Sequence, residues 1–217
     1  MKVRLNYFYR KLYAQFGRQH WWPGESHFEV VVGAILTQNT NWNNVERAIN
    51  NLKQENLLNP RALYRASAKR LALLIKPSGY YNLKAKRLKS FLTVLFNDYQ
   101  GKIKNLFNLS TPRLRQVLLG INGIGPETAD SILLYAAARP VFVVDAYTKR
   151  ILFRQRLIKR DASYGQVQGL FIKNLKRDTR LFNEYHALLV RLGKEICRKN
   201  NPKCKLCPLG CRQKSFK

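Results

Sequence analysis

Three sets of residues in the 217-residue chain have the types and spacing to do chemistry. The first runs from Leu118 to Leu133. Leu118 and Ile121 are followed by Gly123-Ile124-Gly125, then by Ala129, Ile132 and Leu133 at helical spacing. Apolar anchors around a glycine corner make a helix-hairpin-helix pattern. Glycine reaches φ > 0, and without a Cβ at Gly123 or Gly125 an anion can approach the N–H groups that open the second helix. Pro126 suits the first helical position and Glu127 the first turn. The same spacing also fits a plain packing corner between two helices. The second is Asp145, twenty residues past Gly125 and directly after Val141-Phe142-Val143-Val144. An Asp in that place is an N-cap, and a capping Asp stays ionised, so it can also stabilise developing positive charge or orient a water molecule. The third is Cys197, Cys204, Cys207 and Cys211, separated by six, two and three residues. Thiols clustered so densely read as metal ligands rather than disulfides, for an iron–sulfur cluster or for zinc.

These groups need a scaffold, and the patterning that supplies it is helical nearly throughout. Phe8, Leu12, Tyr13 and Phe16 recur at helical spacing, and Trp21-Trp22-Pro23-Gly24 is a turn carrying two large aromatics. Phe28–Leu36 is strongly apolar and reads as a buried helix despite its β-branched residues. Thr37–Asn44 is a polar island containing Gln38 and Trp42, with a helix expected from about Val45 to Leu52. Ser67 is the expected cap of Ala68–Ile75, and Pro77-Ser78-Gly79 breaks the chain. Asn82–Tyr99 reads as a long helix with a basic face (Lys84, Lys86, Arg87, Lys89) and an apolar one (Leu83, Leu88, Phe91, Leu92, Leu95). Ser110-Thr111-Pro112 opens the helix that enters the hairpin. Later helices are expected at about 146–156, 164–175 and 180–196, the last delivering Cys197.

Lysine and arginine number 40 against 12 acids, a net charge of +28. That excess implies a polyanionic partner: nucleic acid first, an anionic membrane surface second. With 46% apolar residues the chain can build a core, which argues against global disorder. The first residues lack the apolar centre of a signal peptide, and no run approaches the roughly 18–20 apolar residues of a membrane span. The expectation is a soluble cytoplasmic monomer, nucleoid-associated in a prokaryote.

The hairpin, the Val143-Val144-Asp145 that follows it and the cysteine spacing together resemble the helix-hairpin-helix (HhH-GPD) superfamily of DNA glycosylases, in its endonuclease III-like form with an iron–sulfur loop. The resemblance extends from about Trp21 to Cys211. It implies an all-α, two-lobed fold: a six-helix domain at about 28–138 with its helix-hairpin-helix at about 113–138, and a second lobe of 1–27 plus 139–217 with a cluster loop at 197–211. The catalytic cleft would lie between them. It implies double-stranded DNA containing a damaged base as partner, its backbone met by Gly123, Ile124, Gly125, Lys149 and Arg150. Asp145 stands where the family has its catalytic carboxylate. Gln38 stands where relatives push a Gln into the duplex, although Ile35 replaces the Leu of that segment. Glu127 stands where strand-cutting members carry a Lys that attacks the sugar. A carboxylate cannot form an imine, so the resemblance implies a monofunctional enzyme in which water attacks. Glu127 is then a neighbour of the catalytic site or a stabiliser of its own helix, and weak AP lyase activity through another lysine stays open.

Trp21-Trp22-Pro23 followed by Gln38-Asn39-Thr40-Asn41-Trp42 looks like the 3-methyladenine DNA glycosylase III branch of the superfamily, whose aromatics sandwich the flipped base. Trp21, Trp22, Trp42 and Tyr147 are the candidate pocket residues. A cationic base stacks well on a π face, which makes an alkylated purine such as 3-methyladenine the first substrate. Uracil, mismatched thymine or an oxidised pyrimidine comes second. The first two cysteine spacings and Pro208 match a 4Fe–4S loop, although the family has five residues before the last Cys and this chain has three; zinc is the alternative. Lys203, Lys205, Arg212 and Lys214 make that loop basic. Glu184 and His186 precede the cysteines on their helix, and the His reads as structural. A non-catalytic DNA-binding iron–sulfur protein is the reading from another class.

Overall fold

The computed structural model describes residues 1–210, and every regular element among them is helical. In chain order the α-helices are α1 (Lys2–Phe16), α2 (His27–Leu36), α3 (Trp42–Gln54), α4 (Pro60–Arg65), α5 (Ala68–Leu74), α6 (Tyr81–Tyr99), α7 (Ile103–Phe107), α8 (Thr111–Gly120), α9 (Pro126–Ser131), α10 (Ala146–Arg154), α11 (Tyr164–Asn174) and α12 (Thr179–Glu195). None is long and apolar enough to cross a membrane. The chain divides into two compact units, one of Trp22–Arg139 and one of Met1–Trp21 with Pro140–Lys217.

In the Trp22–Arg139 unit, α2 is buried on every side from Phe28 to Leu36, as expected of a helix that is apolar all round. Ser26 caps it, its Oγ accepting from Glu29 N at 3.1 Å. The next helix begins at Trp42, three residues before the expected start. Asn41 Oδ1 accepts from Asn44 N at 3.1 Å, so the polar island serves as the helix opening and sets Trp42 in its first position. Ser67 caps α5 as the spacing requires, and the break at Pro77 is a 3₁₀ turn ending on Gly79 at φ 68°.

Helix α6 corrects the sequence reading at two adjacent residues. Leu83, placed on the apolar face, is 46% exposed, whereas Lys84, placed on the basic face, is 1% exposed. The lysine stem is apolar, and its ammonium donates to the carbonyls of Leu36 (2.8 Å) and Ser78 (2.6 Å). One buried cation thus satisfies carbonyls at the end of α2 and in the 3₁₀ turn. Burial lowers the Lys84 pKa to about 8, and the nearby Arg87 charge pushes the same way.

The other unit closes around aromatic rings. Phe142 stacks on Phe171 with centroids 3.6 Å apart and meets Phe182 edge-on at 5.4 Å. Helix α1 contributes Leu5, Phe8 and Leu12, and the buried Tyr185 hydroxyl on α12 donates to Leu5 O at 2.9 Å. Ser163 and Gln166 form a capping box on α11, and Asp178 caps α12.

Candidate active site

The hairpin is built from α8, the turn Ile121–Gly125 and α9, continued by a π-type turn over Ile132–Ala136. Ile121 and Ile124 are buried anchors, and Ile124 N donates to Ile121 O at 3.0 Å. Gly123 uses its conformational freedom at φ +86°. Gly125 does not: it is extended at φ −87°, ψ 178°, and a Cβ there would meet nothing within 4 Å. Gly125, Pro126 and Glu127 are exposed, so the backbone at the start of α9 is open. Arg115 on α8 clamps the buried Asp130 on α9 with a fork, Nε to Oδ1 at 2.7 Å and Nη2 to Oδ2 at 3.1 Å.

Gln38 belongs to this hairpin. Its Nε2 donates to Gly123 O and to Thr128 Oγ1, both at 2.9 Å, and its Oε1 accepts from Arg87 Nη1. The Arg87 stem lies against Gly123, where a Cβ would come within 2.7 Å of Arg87 Cδ. In this state the Gln38 amide braces the glycine corner.

Asp145 is the N-cap of α10, with Oδ1 accepting from Thr148 N at 2.7 Å. The four residues before it, Val141 to Val144, are buried. Its side chain is 12% exposed, and Oδ2 lies 3.7 Å from His186 Nε2 on α12. Burial pushes the His186 pKa below its usual value, opposed by the Asp145 charge. A neutral imidazole therefore faces an ionisable carboxylate.

Trp22 and Trp42 are in edge contact at 5.2 Å and 88°, and Trp22 tilts against Tyr135 at 5.1 Å. Gly33 makes room for Trp22: a Cβ there would lie 3.2 Å from Trp22 Cζ2 and Nε1. Trp22 is thus seated on α2 between two other rings, each half-buried. Trp21, at the edge of the other unit, is also half-buried.

Residues 32–177 match the family described as HhH-GPD superfamily base excision DNA repair protein. The chain belongs to the HhH-GPD superfamily. It is a base excision repair DNA glycosylase of that family. A protein of Methanocaldococcus jannaschii named "Putative DNA repair glycosylase MJ1434" is 50% identical over 203 residues, 93% of this chain and 91% of the relative. The structure of Helicobacter pylori 3-methyladenine DNA glycosylase (MagIII) bound to 1,N6-ethenoadenine is 30% identical, with a TM-score of 0.74 over 88% of this chain and 95% of that one. A non-covalent endonuclease III–DNA complex shares the fold at 21% identity, with a TM-score of 0.84 over 98% and 95% of the two chains. The superfamily and the all-α fold expected from the motifs are both borne out.

The HhH-GPD chain uses the residues after Asp145 differently from a solvated basic face. Lys149 Nζ donates to Ala162 O at 3.1 Å. Arg150 donates to Cys197 O (2.8 Å) and Gly193 O (3.0 Å), and its guanidinium covers the Tyr147 ring 5.0 Å from the centroid. Tyr147 packs onto Gly193, where a Cβ would fall 2.8 Å from the Tyr147 Cγ. Lys149 ties α10 to the segment before α11, and Tyr147 and Arg150 tie α10 to α12 and to the loop beyond it.

That loop carries the cysteines. Cys197 follows α12, Cys204 opens a 3₁₀ turn and Cys207 ends it; Cys211 lies outside the described residues, as do Arg212 and Lys214. No disulfide forms among the described residues, and among them no group of three or more His, Cys, Asp or Glu is assembled around a metal position. The donor chemistry does suit a metal. Arg154 Nη1 donates to Cys197 Sγ at 3.3 Å, as a residue beyond the ligand shell does for a metal-binding sulfur. Gln155 Nε2 donates to Gly210 O at 2.7 Å, and Arg154 binds Arg198 O (2.6 Å) and Lys199 O (3.0 Å).

Sequence reasoning missed Tyr135 and Arg87 as partners of site residues, and took His186 for a structural residue without its contact to Asp145. Tyr135 had one weak signal: it is the single polar-tipped ring in the apolar run Ile132–Ala137. The Asp145–His186 contact had none, because the two are 41 positions apart and only the packing of α10 on α12 joins them.

Proposed function

We propose that this protein is a monofunctional DNA glycosylase that hydrolyses the N-glycosidic bond of a flipped, alkylated purine such as 3-methyladenine in duplex DNA. The observation that carries the reading is the three-ring group of Trp22, Trp42 and Tyr135, with its half-buried faces. Electron-rich rings attract a cationic purine more than a neutral one, by about 0.5–2 kcal/mol. The likeness to the H. pylori enzyme solved with 1,N6-ethenoadenine supports a purine pocket.

Each remaining residue then has a role. The glycine corner Gly123–Gly125, whose exposed backbone begins at Gly125, binds phosphate at the start of α9. Gln38 leaves its bonds to Gly123 and Thr128 and enters the gap in the duplex, offsetting the few kcal/mol that flipping costs. As the bond between C1′ and the base nitrogen breaks, the base keeps the electron pair, so an alkylated cation departs as a neutral purine. Positive charge grows on the sugar and the Asp145 carboxylate stabilises it, then orients the water whose oxygen bonds to C1′ and whose proton is released. Glu127 offers no amine for an imine, which supports hydrolysis without strand cleavage.

Cys197, Cys204, Cys207 and Cys211 would hold a 4Fe–4S cluster that folds the basic loop and takes no part in hydrolysis.

The test is release of free base from duplexes carrying 3-methyladenine, 1,N6-ethenoadenine, uracil, mismatched thymine and oxidised pyrimidines. Release of the purines without borohydride-trapped protein supports the reading. Preference for the pyrimidines moves the substrate, and a trapped adduct removes the monofunctional assignment.

A further inference from the structure

We propose that His186 is a positioning residue for the proposed catalytic carboxylate: its Nε2–H holds Oδ2 of Asp145 while Thr148 N–H holds Oδ1. The inference rests on the reading of Asp145 as the group that acts on the sugar.

The two carboxylate oxygens have different neighbours. Oδ1 is anchored by the cap at 2.7 Å, and the carboxylate plane can swing about that anchor only through coupled turns of both side-chain torsions, a swing that a partner at Oδ2 would limit. The group placed there is His186 Nε2, at 3.7 Å. That separation exceeds a hydrogen bond, so the role requires the two side chains to draw together when substrate is bound. Hydrogen bonds of this kind are often long in the free enzyme and tighten on the substrate. His186 is 6% exposed and has Phe142 edge-on at 6.3 Å and 86°, so the imidazole is held among packed rings.

An uncharged donor suits the task. An imidazolium beside Asp145 would cancel the negative charge that the sugar cation needs. A neutral N–H orients the carboxylate and leaves that charge in place. Burial favours the neutral form of His186. The arrangement also separates two demands on one residue, since the cap serves α10 and the imidazole serves the chemistry.

The experiment is single-turnover base release by the intact protein on whichever lesion it excises fastest, with duplex Kd and Tm measured alongside. His186→Leu removes the donor and keeps an apolar filler; Gln places an amide N–H near Nε2. Expected is a loss of about 10–100-fold in rate for His186→Leu with Kd unchanged, and recovery to within about threefold for His186→Gln. In an Asp145→Asn background, His186→Leu should add less than about twofold, because it acts through the carboxylate. An unchanged rate in His186→Leu overturns the proposal. So does equal loss in the Leu and Gln variants with a matching fall in Tm, which would mark a packing role. If Asp145→Asn alone releases base at the wild-type rate, it is the reading of Asp145 that fails.

Discussion

Arg87 lies across Gly123, and the two cannot keep this arrangement if the glycine gains a side chain. The Cβ of an alanine would sit 2.7 Å from Arg87 Cδ and Nε, at a φ of +86° that L-residues rarely adopt. Gly123→Ala should therefore lower stability by more than the roughly 1 kcal/mol of the backbone term alone. It should also release Gln38 from Arg87. Gly125→Ala is the contrasting case: extended backbone, open space, and a stability change within about 0.5 kcal/mol. Its new methyl group projects from the exposed start of α9, so duplex affinity should fall while Tm holds. Thermal unfolding beside a DNA titration of the two variants separates the fold term from the binding term.

The hairpin depends as strongly on Arg115 and Asp130. Asp130 is fully buried, and Arg115 is one-third exposed, so removing the arginine strands a carboxylate without most of its compensation. Arg115→Leu should cost about 2–4 kcal/mol in denaturant unfolding. Arg115→Leu combined with Asp130→Leu should recover part of that loss, since the uncompensated charge is gone. A double variant less stable than Arg115→Leu alone would show that the Asp130 carboxylate has other stabilising partners of greater weight.

Lys84 gives the protein a calculable pH dependence. Its pKa is about 8 in the folded chain against 10.5 as the ordinary value, lowered by burial and then by Arg87. Between those values the unfolded chain binds more protons, so this group makes the folded state more stable as pH rises from 8 toward 10.5. Below 8 its contribution is flat. The stability of wild type minus that of Lys84→Met should climb by on the order of 1–2 kcal/mol between pH 8 and 10, read from urea unfolding. A difference that stays level across the window would mean the ammonium keeps its ordinary affinity for protons despite its place between two carbonyls.

What could be read in the sequence was what local spacing encodes. The glycine corner, the cap at Asp145 and the polar island before α3 are each specified within a few residues, and the structure has them. Gln38 was legible as a candidate, but its partners Arg87, Gly123 and Thr128 are 49, 85 and 90 positions away and are joined only by packing. Periodicity misassigned Leu83 and Lys84 because it treats lysine as polar along its whole length, whereas the stem buries readily once the ammonium reaches helix-end carbonyls. Lys149 and Arg150 were expected to meet the DNA backbone. Their charge is plain in the sequence, and the carbonyls of Ala162, Gly193 and Cys197 that engage them are not.

Asp145 caps a helix and is proposed to act on the sugar, and conservative substitutions can part these roles. Asn caps about as well as Asp, so Asp145→Asn should keep the Thr148 N–H bond and leave stability within about 0.5 kcal/mol. Base release should nonetheless fall by orders of magnitude, because the amide carries no charge for the sugar cation. Asp145→Ala should lose activity as well and about 1 kcal/mol of stability. The catalytic assignment fails if Asp145→Asn cuts at the wild-type rate while binding duplex normally.

The far end of α10 makes the metal assignment testable through the fold. Arg154 reaches Cys197 Sγ, Arg198 O and Lys199 O, and Gln155 reaches Gly210 O, so the last turn of the helix that begins at Asp145 is fastened to the cysteine loop. With four thiolates on iron, the protein should show absorbance near ~400 nm and roughly four irons per chain, whereas a zinc site would be colourless with one metal. Removing the metal frees the loop from its ligand bonds and leaves hydrogen bonds such as these to hold it. Amides in the last turn of α10 should then exchange with solvent at least about tenfold faster, while those of the fully buried α2 stay protected. If α10 keeps its protection after metal loss, protein contacts such as those of Arg154, Gln155 and Arg150 suffice to hold the loop, and the cluster does not order it.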